Sequence, residues 1–234
     1  MRARLVLVAL AAAALLVGCG TESGTPTTST STSNGVETLS ADEILTKAKA
    51  ALTAAKSFHV KGDMAEGGQT VAVDFKVSGS DLSGTIDMNG AGIEIIKIGN
   101  DLYVKAPDAF WATLTPSGNA GALAALKGKY AKADMTFAAF ATISNAFTPD
   151  GMLKAEGTTS KGETKMVSGT AAIGVVDSKD NSVVYVATQG QPLPLAFDSA
   201  DGKSEALVTE VGQPMEIKAP PATQVVDVKG LLGS

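Results

Sequence analysis

The hydrophobic pattern of the chain changes period along its length. From Leu5 to Val17 every residue is apolar, a run shorter than the ~20 residues that cross a bilayer. Ile44, Ala48, Leu52 and Ala55 then recur at helical spacing with Leu45 beside them, while Lys47, Lys49 and Lys56 fall largely elsewhere. Just ahead, Leu39-Ser40-Ala41-Asp42-Glu43-Ile44 offers a capping box (Ser40, Glu43) and a hydrophobic staple (Leu39, Ile44), so a helix is expected to start here and end near Ser57. Beyond it the period becomes two. Phe58, Val60 and Met64 alternate with His59, Lys61 and Asp63. Val71, Val73, Phe75 and Val77 alternate with Ala72, Asp74 and Lys76, and Leu82, Gly84, Ile86 and Met88 with Ser83, Thr85 and Asp87. Gly67-Gly68, Gly79-Ser80-Asp81 and Asn89-Gly90 supply turns. Residues 93–98 and 102–105 extend the series into an antiparallel meander with one apolar and one wet face.

Residues 118–145 are alanine-rich. Leu123, Leu126 and Tyr130, then Phe137, Phe140, Ile143 and Phe147, suggest two short helices joined near Lys132–Asp134, with Pro149-Asp150-Gly151 closing the segment. Strands are expected again over 152–158, 163–175, 182–188, 193–199 and 205–211, with turns at Ser160-Lys161-Gly162, Asp180-Asn181 and Asp201-Gly202. The order is helix, about five strands, helices, about five strands. That is α+β. A twisted sheet of about ten strands tends to curl, so the simplest architecture is a strongly curved antiparallel sheet, a half-barrel, with helices over its concave apolar face. A two-sheet sandwich shares the same periodicity.

Composition narrows the function classes. The formal charge is −5, and both arginines, Arg2 and Arg4, lie at the N-terminus. Without arginine forks, and with an acidic balance, a nucleic-acid partner is not expected. One cysteine allows no internal disulfide and no cysteine zinc cluster. His59, the only histidine, lies on the polar side of its strand and reads as a surface residue. No G-x-S-x-G, P-loop or G-x-G-x-x-G occurs. Asp177, Lys179 and Asp180 read as turn residues and not as a calcium loop. No cofactor or metal is expected, and a non-enzymatic role is favoured over a hydrolase assembled from distant carboxylates.

The N-terminus carries the most specific signal. Met1–Arg4 is a basic head, Leu5–Val17 fits a secretory h-region, and Leu16-Val17-Gly18-Cys19 resembles the lipobox of bacterial lipoproteins. That resemblance implies a signal peptide over 1–18, acylation of Cys19 (palmitate or a similar chain), and export to the outer face of the cell membrane on a lipid anchor. Two acyl chains hold stably where one does not. Residues 19–38, rich in Ser and Thr, read as a disordered tether, with hydroxyls that permit O-glycosylation. Residues 39–234 form the single folded domain.

Within that domain, "GNDLYVKAPDAFWATL", "KGETKMVSGTAAIGVV", "SVVYVATQGQPLPLAF" and "EVGQPMEIKAPP" stand in an order that resembles actinobacterial lipoproteins of the LppX/LprA/LprF/LprG type, relatives of the LolA/LolB carriers. The resemblance covers roughly 39–228. It departs between Val175 and Pro192, where the family has a helical insert and this chain has a short turn and a strand around Tyr185. It implies an apolar cavity between sheet and helices that takes the acyl chains of a lipid or glycolipid, with an envelope transporter as a candidate partner. Phe58, Val73, Phe75, Ile86, Leu123, Leu126, Phe137, Phe140 and Ile143 are core residues first, and under this architecture candidates to line the cavity. Trp111 reads as a core anchor in preference to a cavity-mouth residue. The alternative reading is a non-catalytic envelope binding or scaffold module without internal ligand.

Overall fold

The computed structural model describes residues 32–66, 69–114, 120–134 and 145–228. Ser40 opens α1 (Ala41–Ala55) as the sequence predicts: its hydroxyl accepts from the Glu43 backbone N–H at 3.4 Å, and the Glu43 carboxylate accepts the Ser40 N–H at 2.9 Å. Each half of such a box satisfies an N–H that the helix leaves orphaned. Ile44, Leu45, Ala48 and Leu52 form the buried stripe of the helix. The fold begins earlier than Leu39, however. Asn34 donates through its backbone N–H to the Thr188 carbonyl at 2.8 Å, and through its side chain to the carbonyls of Ala187 (3.0 Å) and Gly190 (3.2 Å). Val36, in the 3-10 turn Val36–Thr38, is 1% exposed. The last residues assigned to the tether are therefore part of the domain. A single apolar side chain, Val36, supplies the core contact that a polar tract hides.

The meander follows: β1 (Ser57–Glu66), β2 (Gln69–Ser78), β3 (Asp81–Met88), β4 (Ala91–Ile98) and β5 (Asp101–Lys105). At the β3–β4 turn Asn89 and Gly90 both take positive φ, 57° and 82°, as a type I′ hairpin requires. Next come α2 (Asp108–Leu114), α3 (Ala120–Leu126), β6 (Tyr130–Asp134) and α4 (Pro149–Met152). The chain continues with β7 (Thr159–Val167), β8 (Thr170–Asp177), β9 (Val183–Ala187), β10 (Pro194–Asp198), β11 (Glu205–Thr209) and β12 (Val225–Asp227).

Several expectations are corrected here. Lys132–Asp134, expected as a junction between helices, lies in β6, because its backbone pairs with β5 and, in parallel, with β12. The second helix, around Phe137, Phe140 and Ile143, lies outside the described residues, as do Cys19, the signal region and Gly67-Gly68. Residues 153–158 form no strand; Pro149 starts α4 instead of ending a segment, with Thr148 as its cap. Ser160-Lys161-Gly162 lies inside β7, which carries a bulge between Lys161 and Thr164. The expected strand 163–175 is broken by Ser168 and Gly169, both at positive φ (48° and 83°).

One curled, open sheet of twelve strands results, in the order β12-β6-β5-β4-β3-β2-β1-β11-β10-β9-β8-β7. All pairs are antiparallel except β12 with β6. This is the expected fold class; the sandwich does not occur. The sheet consists of two meanders joined at a seam. The first runs outward from β1 to β6, and the second runs inward from β7 to β11. At the seam Val60 faces Val208 and His59 faces Thr209. From Val208 of β11 one row crosses the first meander through Val60, Phe75, Gly84, Ile95, Val104 and Ala131, buried throughout except at the half-buried Gly84. Gly84 belongs there by necessity. A Cβ at that position would lie 2.2 Å from the Asp74 carbonyl oxygen and 2.6 Å from the Phe75 ring.

Candidate functional site

The seven described candidates gather in one cluster. Phe58, Val73, Phe75, Trp111 and Leu126 are buried in the core, with Ile86 and Leu123 packed against it. Phe75 stacks on Phe147 with ring centroids 3.9 Å apart. Trp111, on α2, is 1% exposed and meets Phe110 edge-on at 5.2 Å. Phe137, Phe140 and Ile143, the other three candidates, lie outside the described residues.

Among the described residues a cleft lies elsewhere, and none of those seven lines it. A cleft of about 720 Å³ opens at one end of the second meander, within the roughly 300–1,000 Å³ of small-molecule sites. Its walls are the ends of β8 and β10, the start of β9, the facing ends of β1 and β2, and the segment 151–159 that follows α4. Leu45 of α1, Met64, Met152, Val175, Val184 and Phe197 give it an apolar floor. Strand alternation places Val175, Val184 and Phe197 in register on the face that meets α1.

The rim is polar. Asp63, Glu156, Asp177, Asp180, Asp198 and Asp201 oppose Lys154, Lys179 and Lys203. Much of this charge is committed to shaping the rim. Asp177 accepts backbone N–H bonds from Lys179 (2.8 Å), Glu156 (2.7 Å) and Gly157 (2.9 Å). Those bonds, Lys179's first among them, hold its carboxyl below the usual carboxylate range against the opposing effect of burial. The Ser199 hydroxyl and the Lys203 N–H hold Asp201 down to about 2. Both stay ionised at neutral pH, so neither is poised as a general acid there. Among the described residues no three His, Cys, Asp or Glu side chains cluster as a metal would need.

His59 departs from its surface reading. It keeps to the polar face but is 9% exposed, because the seam encloses it. Nε2 lies 2.6 Å from Asp74 and Nδ1 3.4 Å from Glu210, and Asp74 also pairs with Lys61 at 2.8 Å. Carboxylates thus flank both ring nitrogens, with no nucleophile between them. The arrangement ties β2 and the end of β11 to β1.

Sequence reasoning selected large apolar residues at strand and helix spacing, and those fill the core. The cleft draws on strand ends and turns; the apolar Val184 and Phe197, within strands expected over 182–188 and 193–199, are the signal that could have found it. No helix among the described residues is long and apolar enough to cross a membrane.

No protein-family model and no curated protein sequence matches the chain. Solved structures are similar to it. LprF from Mycobacterium bovis superposes with a TM-score of 0.48 at 12% identity, over 77% of this chain and 96% of that one. The lipoprotein LppX from Mycobacterium tuberculosis gives 0.46 at 12% identity, over 76% and 99%. An uncharacterized conserved protein from Thermus thermophilus gives 0.44 at 12%, over 80% and 98%. None of the three reaches a TM-score of 0.5.

Proposed function

We propose that this chain is an exported lipoprotein, fixed to the outer face of the cell membrane through acylated Cys19, that holds the acyl part of a lipid or glycolipid for carriage or presentation in the envelope. The cleft between α1, the segment after α4 and the second meander is the binding site in this reading. Its apolar floor opposite a polar rim is the observation that carries it: an amphiphile lays its chain on Leu45, Val184 and Phe197 and leaves its head at the rim. Two rim carboxylates, Asp177 and Asp201, are occupied by their own turns, which supports a binding role in this reading.

Binding of a fluorescent fatty acid tests the reading. The chain is expected to take it up, and Val184→Trp, which fills the floor, to weaken uptake by about ten-fold, or 1.4 kcal/mol, with the fold retained by circular dichroism. Absence of uptake by the unaltered chain would overturn the proposal. A scaffold module without internal ligand is the second reading, favoured by the place of the seven described candidates in the buried cluster and not in the cleft. It predicts equal behaviour of the two chains.

A further inference from the structure

The cleft has a size and a mixture of charges, and both narrow what it can hold. At the ~30 Å³ that a water-sized group occupies in a liquid, its volume of about 720 Å³ is room for about 24 such groups. One acyl chain of about 16 carbons with a compact head fills that space, whereas two such chains exceed it before any head is added. A second chain would be left in water, at a cost for every methylene exposed.

The charges sort themselves by elimination. Six carboxylates and three lysines line the cleft. Asp177, Asp180 and Asp201 accept backbone N–H bonds from their own turns. Lys203 pairs with Asp201, and Asp198 pairs with Lys165, which stands outside the lining. Two groups of each sign remain without an ion pair or a side-chain hydrogen bond among the described residues: Asp63 and Glu156, Lys154 and Lys179. Both signs are thus free to meet a head that carries both. The negative balance of the whole rim opposes a head that is only anionic, within about 10 Å at 0.1 M salt.

From volume and charge together we infer that the occupant of the cleft is a single-chain amphiphile with a zwitterionic head, of the lysophosphatidylcholine class, and not a two-chain lipid. The inference rests on the binding reading above and deepens it. The chain lies on the apolar floor, the phosphate takes the free lysines, and the ammonium takes the free carboxylates.

The test uses the full chain with Cys19→Ser, so that it separates from membranes. It is mixed with phosphatidylcholine vesicles that also contain palmitoyl lysophosphatidylcholine or palmitoyl lysophosphatidylglycerol. The protein is then recovered and its bound lipid counted by native mass spectrometry. One lysophosphatidylcholine per chain is expected, while phosphatidylcholine, although in excess, stays in the vesicles. Lysophosphatidylglycerol should load about five-fold less at low salt, and the gap should close as salt rises. Asp63→Asn combined with Glu156→Gln should narrow the gap at low salt. Phosphatidylcholine on the recovered protein, or two lysolipids per chain, would overturn the single-chain assignment. Equal loading of the two lysolipids at low salt, or a gap that the double variant leaves unchanged, would overturn the assignment of the head. If the chain takes up the fluorescent fatty acid but no lysolipid, the inference alone fails; if it takes up neither, the binding reading fails with it.

Discussion

Between β1 and β6 the buried face of the sheet meets aromatic side chains. Phe75 lies over Gly84 and under Phe147, and Phe58, Trp111 and Leu126 close the same cluster. Between β7 and β11 the corresponding face meets α1 and the segment after α4, and at one end a cleft remains. The pairing is antiparallel within both meanders, although α2 and α3 intervene between β5 and β6. What differs is the layer above it. Over the described part of the first meander the covering layer contributes Trp111, Leu126 and Phe147, and over the second α1 contributes Ile44, Leu45, Ala48 and Leu52. Of these side chains Leu45 alone also lines the cleft. Whether the hollow of an antiparallel sheet is core or site depends on the side chains that cover it.

The largest expected effect comes from emptying the filled half. Phe75→Ala removes a fully buried ring from its stack and should cost about 3–5 kcal/mol of stability, read from urea unfolding. Phe75 does not line the cleft, so the folded fraction should still bind the fatty acid with unchanged affinity; a parallel loss of binding would break the comparison. Next in size, Ser40→Ala removes the cap of the helix that roofs the cleft. It should cost about 1 kcal/mol and move the urea midpoint accordingly. The smallest effect sits at the seam between the halves. Burial pushes the Asp74 carboxyl up, but hydrogen bonds from Lys61 and His59 outweigh it and hold the group below its ordinary value. A pKa depressed by folding contributes stability above the unfolded value, near 4, and loses it as pH falls through the folded value. The urea midpoint should therefore drop below about pH 4, and Asp74→Asn should flatten that drop.

Much of this fold could be read along the chain. The period-two runs mark β1 to β5, and Ser40 with Glu43 marks the start of α1, because these signals are local: a cap, a turn, an alternation. The misreadings have tertiary causes. β6 is spelled with Ala131 and Ala133 inside an alanine-rich run and becomes a strand through β5 and β12, the latter distant in sequence. Ser168-Gly169 turns the chain inside a stretch apolar enough to pass for continuous strand. The cleft was the least legible. Its floor borrows one or two residues from each of several elements, and its rim is made of turn residues whose evident role is to bend the chain. Of the large apolar candidates for a lipid site, the seven described ones lie in or against the core cluster, and Phe137, Phe140 and Ile143 lie outside the described residues.

The seam has a consequence for how the protein is made. β1 pairs with β11, so that His59 meets Thr209, 150 positions further along the chain, and β6 acquires its outer neighbour only when Val225–Asp227 arrives. Closing so long a loop makes pairing late and slow. A chain growing from its N-terminus thus holds an unfinished sheet, open on both sides of the first meander, until almost all of it has been synthesised. On the export reading proposed above, that delay leaves the sheet unfinished until the passage through a translocation pore is nearly done.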